Sequence, residues 1–191
     1  MTVGEYVLVL VSLVLGLGIT DVLASFHRLL RAGARVRWAV LPVAAAVLIV
    51  LLSLMMWWSQ FPEDQTRPVT IGQFLPRFAV FVALFLTAAA ALPDEVPPEG
   101  LDLGAWYRAN ARHFWSLATL VVALTMVLEG ADAVARDGLR ALPGFLSNRS
   151  FDVVVLLLFG SLAVLKARWW HAAVLALAYV GPVFWVSRSI G

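Results

Sequence analysis

Cysteine is absent from this chain, which excludes disulfides, thiolate metal ligands and cysteine nucleophiles. Charge is scarce. Asp, Glu, Lys and Arg make up 14% of the 191 residues, where a soluble domain carries about a quarter. Lysine occurs once, at Lys166, outside the middle of any apolar run, so a retinal-type Schiff base is excluded. No His-Glu-x-x-His is present. Gly16-Leu17-Gly18 lacks the further glycine of a dinucleotide loop and lies inside an apolar run. Arginine does not recur at every third position, which excludes a voltage-sensor ladder. The net charge of +2 is too small to point to nucleic acid. No motif implies a catalytic residue, a metal or a cofactor, and the chain reads as more plausibly non-enzymatic than enzymatic.

What is present is apolar length. Hydrophobic residues account for 62% of the chain and the mean hydropathy is +0.89. Together these predict a single all-α domain over 1–191, an integral membrane helical bundle. Six spans can be drawn, at about 6–26, 38–58, 71–92, 114–134, 151–165 and 172–186. A span needs roughly 17–25 residues, so the last two are short. A five-span bundle with a re-entrant or interfacial segment near Lys166–His171 is the alternative. Met1 to Tyr6 carries only Glu5 and no positive charge, which favours a retained first helix over a cleaved signal peptide.

Arginine sets the expected orientation. Arg28, Arg31, Arg35 and Arg37 follow the first span, and the same side collects Arg108, Arg112, Lys166 and Arg168. The other side collects fewer, namely Arg67, Arg136, Arg140, Arg149 and Arg188. The bias predicts the N-terminus outside. One lysine against thirteen arginines points to a GC-rich bacterial genome, hence to a bacterial inner membrane. Trp38, Trp57, Trp58, Trp115, Trp169, Trp170 and Trp185 fall near span ends, as an interfacial belt would. Leu101, Leu103, Trp106 and Tyr107 ahead of Arg108 and Arg112 predict a short surface-lying amphipathic helix. Leu139, Leu142, Phe145 and Leu146 predict a second such segment, and Pro93–Gly100 an extended linker.

The charges within or near the spans form the candidate sites. Arg77 lies about 9 Å inside the third span and Glu129 about 8 Å inside the end of the fourth, at 1.5 Å per residue. Thr125, Glu129, Asp132 and Arg136 share one helix face. Antiparallel spans bring Arg77 to the depth of Glu129 or Asp132. Either an ion pair that holds helices in register or an outward-opening polar vestibule follows. At the inner end, Asp21, His27, His113, His171 and Lys166 are a second candidate cluster, although their spacing is no metal motif. Asp21 has Lys166 or Arg28 as possible counter-charges. Ser12, Gly16, Thr20 and Ala24 form a small-residue stripe suited to close helix packing, within the chain or against a partner. Gly181-Pro182 is expected to kink the last span.

The stretch Leu13–Asp21 with Leu23–Arg31, the Trp57-Trp58 pair and the Tyr107–Trp115 stretch resemble small uncharacterised multi-pass bacterial membrane proteins. The resemblance implies a membrane bundle and no site residues. Two functions stay open. One is binding or passage of a small ion or polar solute past Arg77, Glu129 and Asp132. The other is an accessory or anchoring subunit of a larger membrane complex. The expected partners are the lipid bilayer and a second copy or a membrane-complex subunit, with no nucleic acid.

Overall fold

A computed structural model describes residues 3–60 and 70–187. Arg67 and Arg188 of the charge count lie outside the described residues. Helix α1 runs Val3–Ala32 and is followed by a 3₁₀ turn and strand β1, Val36–Arg37. Helices α2 (Val40–Trp58) and α3 (Ile71–Ala89) precede strand β2, Leu101–Asp102. Then come α4 (Leu103–Asp137), α5 (Leu142–Asn148), α6 (Ser150–Val164), α7 (Arg168–Ala178) and α8 (Val180–Val186). Helix makes up 84% of the structure, so the class is all-α. Five stretches are long and apolar enough to cross a membrane: α1, α2, α3, α4 and the α7–α8 pair. Helices α5 and α6 meet at 73° and supply a sixth if counted as one broken span. The segment around Leu142–Leu146 is thus a short helix turned sharply away from α6.

Helix α1 buries Val11, Leu15, Gly18, Val22, Ser25 and Leu29, at alternating steps of four and three. That is a heptad seam, and it packs chiefly on α3. A Cβ on Gly18 would sit 3.3 Å from the Ala88 Cβ and 3.5 Å from the Phe85 Cα. Glycine is what lets these two backbones approach. The small-residue stripe plays no such part inside the chain. Gly16 and Thr20 are exposed, and a Cβ on Gly16 would meet nothing within 4 Å. Steps of four drift around a helix of 3.6 residues per turn, so Ser12, Gly16, Thr20 and Ala24 lie largely opposite the packed seam. Only Ser12 is drawn into the bundle, where its hydroxyl accepts the Trp57 indole N–H at 2.9 Å.

Helix α4 corrects two expectations. The predicted surface helix over 101–112 is instead β2 and the first turns of α4. Leu103, Tyr107, Ala111, Phe114 and Trp115 are all buried at helical spacing, so the apolar face continues unbroken into the span. Asp102 starts the helix, its carboxylate accepting from the Ala105 N–H at 2.8 Å. That hydrogen bond holds the Asp102 carboxyl below the usual carboxylate range, with desolvation opposing and the Arg37 guanidinium assisting. Trp115, expected at the interface, has no exposed surface at all and sits in the core against Phe159.

Connections at one end are tied together. Strands β1 and β2 pair in parallel, Val36 opposite Leu101 and Arg37 opposite Asp102. Gly100 has φ +99, and a Cβ there would lie 2.8 Å from the Arg35 carbonyl oxygen. The 93–100 linker is pinned by Asp94, which lies 3.3 Å from the Arg28 guanidinium. Arg28 is therefore committed to Asp94 and not to Asp21. At the same end α6 and α7 are joined through residues 165–167 alone, so His171 belongs to the first turn of α7. The last span breaks at Tyr179, three residues before Pro182, which has no N–H to give the Ala178 carbonyl. Tyr179 restores a link by donating its hydroxyl to the Ala44 carbonyl of α2 at 2.6 Å.

Two glycines two residues apart should therefore respond differently. Gly18→Leu overpacks the α1–α3 seam and costs about 1–3 kcal/mol. Gly16→Leu leaves the unfolding midpoint in detergent unchanged. Equal effects in thermal unfolding would contradict the seam.

Candidate functional site

Two polar clusters stand at opposite ends of the bundle, each beside a cavity. At the end where α4 finishes, Arg77 of α3 donates to the Asp132 carboxylate of α4. Its other arm donates to the Gln73 carbonyl at 2.9 Å. Antiparallel α3 and α4 bring the pair to matched depth, and the partner is Asp132, not Glu129. Glu129 is served by Arg149, a residue between α5 and α6. One guanidinium nitrogen lies 2.9 Å from Glu129 Oε2 and the other 3.1 Å from Asp152. The Glu129 contact is an ion pair without hydrogen-bond angles, since that buried oxygen has no directed donor. Two guanidiniums thus meet three carboxylates, and both cations are spoken for. All five side chains are 35–46% exposed, so each pair adds at most about 1 kcal/mol.

The cavity beside this cluster encloses about 330 Å³. Its walls are apolar, with Leu52, Met56, Val121, Met126 and Phe159, and Glu129, Arg149 and Asp152 stand at its polar side. Thr125 also lines it, but its hydroxyl donates to the Val121 carbonyl of its own helix at 2.9 Å. Gly181 and Pro182 form part of the wall, which puts the helix break against this space.

The opposite end holds the larger cavity, about 540 Å³, between β1, the starts of α2 and α4, and the α6–α7 connection. Arg37, Arg108, Arg112, Lys166 and Arg168 line it, with Asp102 as the one carboxylate. Asp102 pairs with Arg37 at 3.4 Å. Arg108, Arg112, Lys166 and Arg168 form no ion pair among the described residues. Positive charge is therefore in excess here, whereas it is matched at the other end.

Beneath these cations lies a buried chain of hydrogen bonds. The Trp115 indole N–H donates to the Tyr107 hydroxyl at 2.9 Å. Tyr107 and His171 Nδ1 are 2.8 Å apart, and His171 Nε2 is 2.8 Å from the Leu165 carbonyl oxygen. A carbonyl only accepts, so Nε2 carries the proton. Nδ1 of the neutral ring then accepts from Tyr107, whose oxygen already holds the Trp115 hydrogen. Every member is satisfied with His171 uncharged. The chain clamps α4 to the α6–α7 connection at the point where Leu165 leaves helical geometry.

The inner cluster expected from sequence does not assemble. His171 is buried in that chain, while His27 and His113 are exposed on α1 and α4. Asp21 is half-buried on α1 and makes no hydrogen bond or ion pair among the described residues. Lys166 reaches the cavity rim and not Asp21. No group of three His, Asp or Glu side chains suited to a metal occurs among the described residues. The residues that sequence reasoning passed over are Arg37, Arg108, Arg112 and Arg168, taken as topogenic charge. The i,i+4 spacing of Arg108 and Arg112, beside the Tyr107–Ala111 ridge, was the available signal.

Tyr107→Phe strands the Trp115 N–H and leaves Nδ1 of His171 without its donor, which costs about 1–3 kcal/mol. Denaturant unfolding in detergent measures it, and a variant as stable as the parent would remove the clamp. No protein-family model, no curated protein and no solved structure matches the chain.

Proposed function

We propose that this chain is a multi-pass protein of the bacterial inner membrane that binds and passes a small polar solute. The observation that carries the reading is the alignment of the two cavities. Both are walled by α2, α4, α6 and the α7–α8 pair, and they open at opposite ends of that one seam. Along α4 the larger cavity reaches Arg112 and the smaller begins at Ala118. The intervening layer is thus about 9 Å thick at 1.5 Å per residue. Trp115, Leu48, Val174 and Leu175 fill it, each 3% exposed or less. Two vestibules divided by a thin apolar layer suit a gated path. The break at Tyr179 and Pro182 in the wall gives that layer an element able to move.

If the bent α5–α6 pair counts as a sixth span, the arginine bias favours the arginine-rich end in the cytoplasm and the Arg77–Asp132 and Glu129–Arg149 pairs at the outer face. In this reading Glu129, Arg149 and Asp152 line the outer vestibule and tune the charge seen by an entering solute, while the Arg77–Asp132 pair, outside that lining, ties α3 to α4. A second reading, an anchoring subunit of a membrane complex, draws on the exposed face of α1. Gly16 and Thr20 lie open there, ready for a close helix contact from a second copy or another subunit.

The lack of cysteine makes both topology and passage testable without background. Single cysteines at Ala34 and at Ser147 should label from opposite sides of sealed vesicles, Ala34 only from the cytoplasm. Labelling of both from one side would overturn the topology. Trp115→Ala thins the layer and should speed osmotic swelling of proteoliposomes in small polar solutes. A barrier lower by about 1.4 kcal/mol gives about tenfold. If that variant does not fold, Val174→Ala opens the same layer. Rates equal to protein-free vesicles for parent and variants would sink passage and leave the anchoring reading.

A further inference from the structure

We propose that the cavity between β1, α4 and the α6–α7 connection is a binding site for a phosphate group. The inference does not depend on passage of a solute, because an anion bound there is held whether or not the seam opens.

Charge is the first argument. Four cations from two separate elements, Arg108 and Arg112 on α4 and Lys166 and Arg168 on the α6–α7 hairpin, face one space and form no ion pair among the described residues. Arg108 and Arg112 stand four residues apart on one helix, a spacing at which like charges repel. The lone carboxylate of the site, Asp102, is occupied by the helix start and by Arg37. Among the described residues no ion pair offsets Arg112, Lys166 or Arg168, and Arg108 has only the field of Asp102, so an anion would relieve the excess.

Shape and chemistry narrow the anion. A guanidinium presents paired N–H groups that match two oxygens of one phosphate, and three of the four free cations are arginines. The volume of about 540 Å³ falls within the range of small-ligand pockets, roughly 300–1,000 Å³. It exceeds a bare phosphate and leaves room for a polar group attached to it. The floor presents no carboxylate, since Tyr107 and His171 there are engaged with each other and with Leu165. Basic pockets between membrane helices on the cytoplasmic side hold anionic headgroups. Val164, Leu165 and Trp169 are exposed at 75%, 48% and 71% beside the mouth, an apolar flank on which acyl chains can lie. A phosphate from solution and one from a phospholipid would make the same contacts.

The test uses the full chain purified in a neutral detergent. One arm titrates inorganic phosphate at constant ionic strength and follows the thermal unfolding midpoint, with chloride as the reference anion. The second arm adds phosphatidylglycerol or phosphatidylcholine and counts retained lipid by native mass spectrometry. Phosphate raising the midpoint identifies the soluble source. Selective retention of phosphatidylglycerol without a phosphate effect identifies the lipid source. In either case Arg112→Gln with Arg168→Gln should weaken binding by about tenfold or more. Arg136→Gln with Arg140→Gln, at the opposite end, should leave it intact. All four positions are exposed, so folding is preserved. No response in either arm, or a response that survives the first pair of substitutions, overturns the proposal.

Discussion

The spacing of charge along α4 governs the rest of the molecule. Between Arg112 and Glu129 the helix carries no Asp, Glu, Lys or Arg over residues 113–128. At 1.5 Å per residue that stretch covers about 24 Å. A bilayer's hydrocarbon core is about 30 Å thick, so the stretch is long and apolar enough to cross one with its charges near the edges. The helix itself is 35 residues long, about 52 Å, which is longer than such a core. Its charged ends are therefore where other elements must supply partners. Arg77 arrives from α3 and Arg149 from the α5–α6 corner at one end. At the other, β2 and the α6–α7 connection gather around Arg108 and Arg112.

Away from those edges the interior follows a stricter rule. In a medium without water each polar hydrogen needs a partner within the protein. Hydroxyls inside the helices turn back on their own backbone, as Ser53 does to Ile49, Thr87 to Ala83 and Thr119 to Trp115. The indoles take what hydroxyls remain. Trp57 donates to Ser12 and Trp170 to Ser161, at 2.9 and 2.8 Å, and Trp115 donates to Tyr107. Trp115 therefore belongs in the core although its sequence position suggests an interface, because Tyr107, about two turns back on the same helix, takes its N–H.

Apolar length made the helices legible in the sequence, and antiparallel order made an Arg77–acid pair legible at matched depth. Which acid was not legible. Asp132 and Glu129 share a face, and the choice depended on Arg149, whose approach needs the 73° corner between α5 and α6. The helix start at Leu103 was hidden because Arg108 and Arg112 look like a surface signature. Buried Leu103, Tyr107 and Ala111 outweigh them. On α1, a step-of-four stripe of small residues was easier to see than the true seam. That seam mixes Val, Leu, Gly and Ser at steps of four and three, and only its period identifies it. The β1–β2 pairing joins two-residue segments far apart in the chain, which no local pattern announces.

The arginine-rich end carries more information than a topogenic signal requires. To orient a span, a cation needs only to lie on the connection, and Arg31 and Arg35 meet that need without lining the cavity. Arg108, Arg112, Lys166 and Arg168 do something topology does not ask for. They come from connections distant in sequence and converge on one space. At the other end the same chain places Asp132, Glu129 and Asp152 against its guanidiniums, so it has the means to neutralise arginine where arginines cluster. Leaving one cluster matched and the other bare, within a fold that clamps the bare one in place through Tyr107 and His171, is an arrangement that self-repulsion opposes and an external anion would relieve.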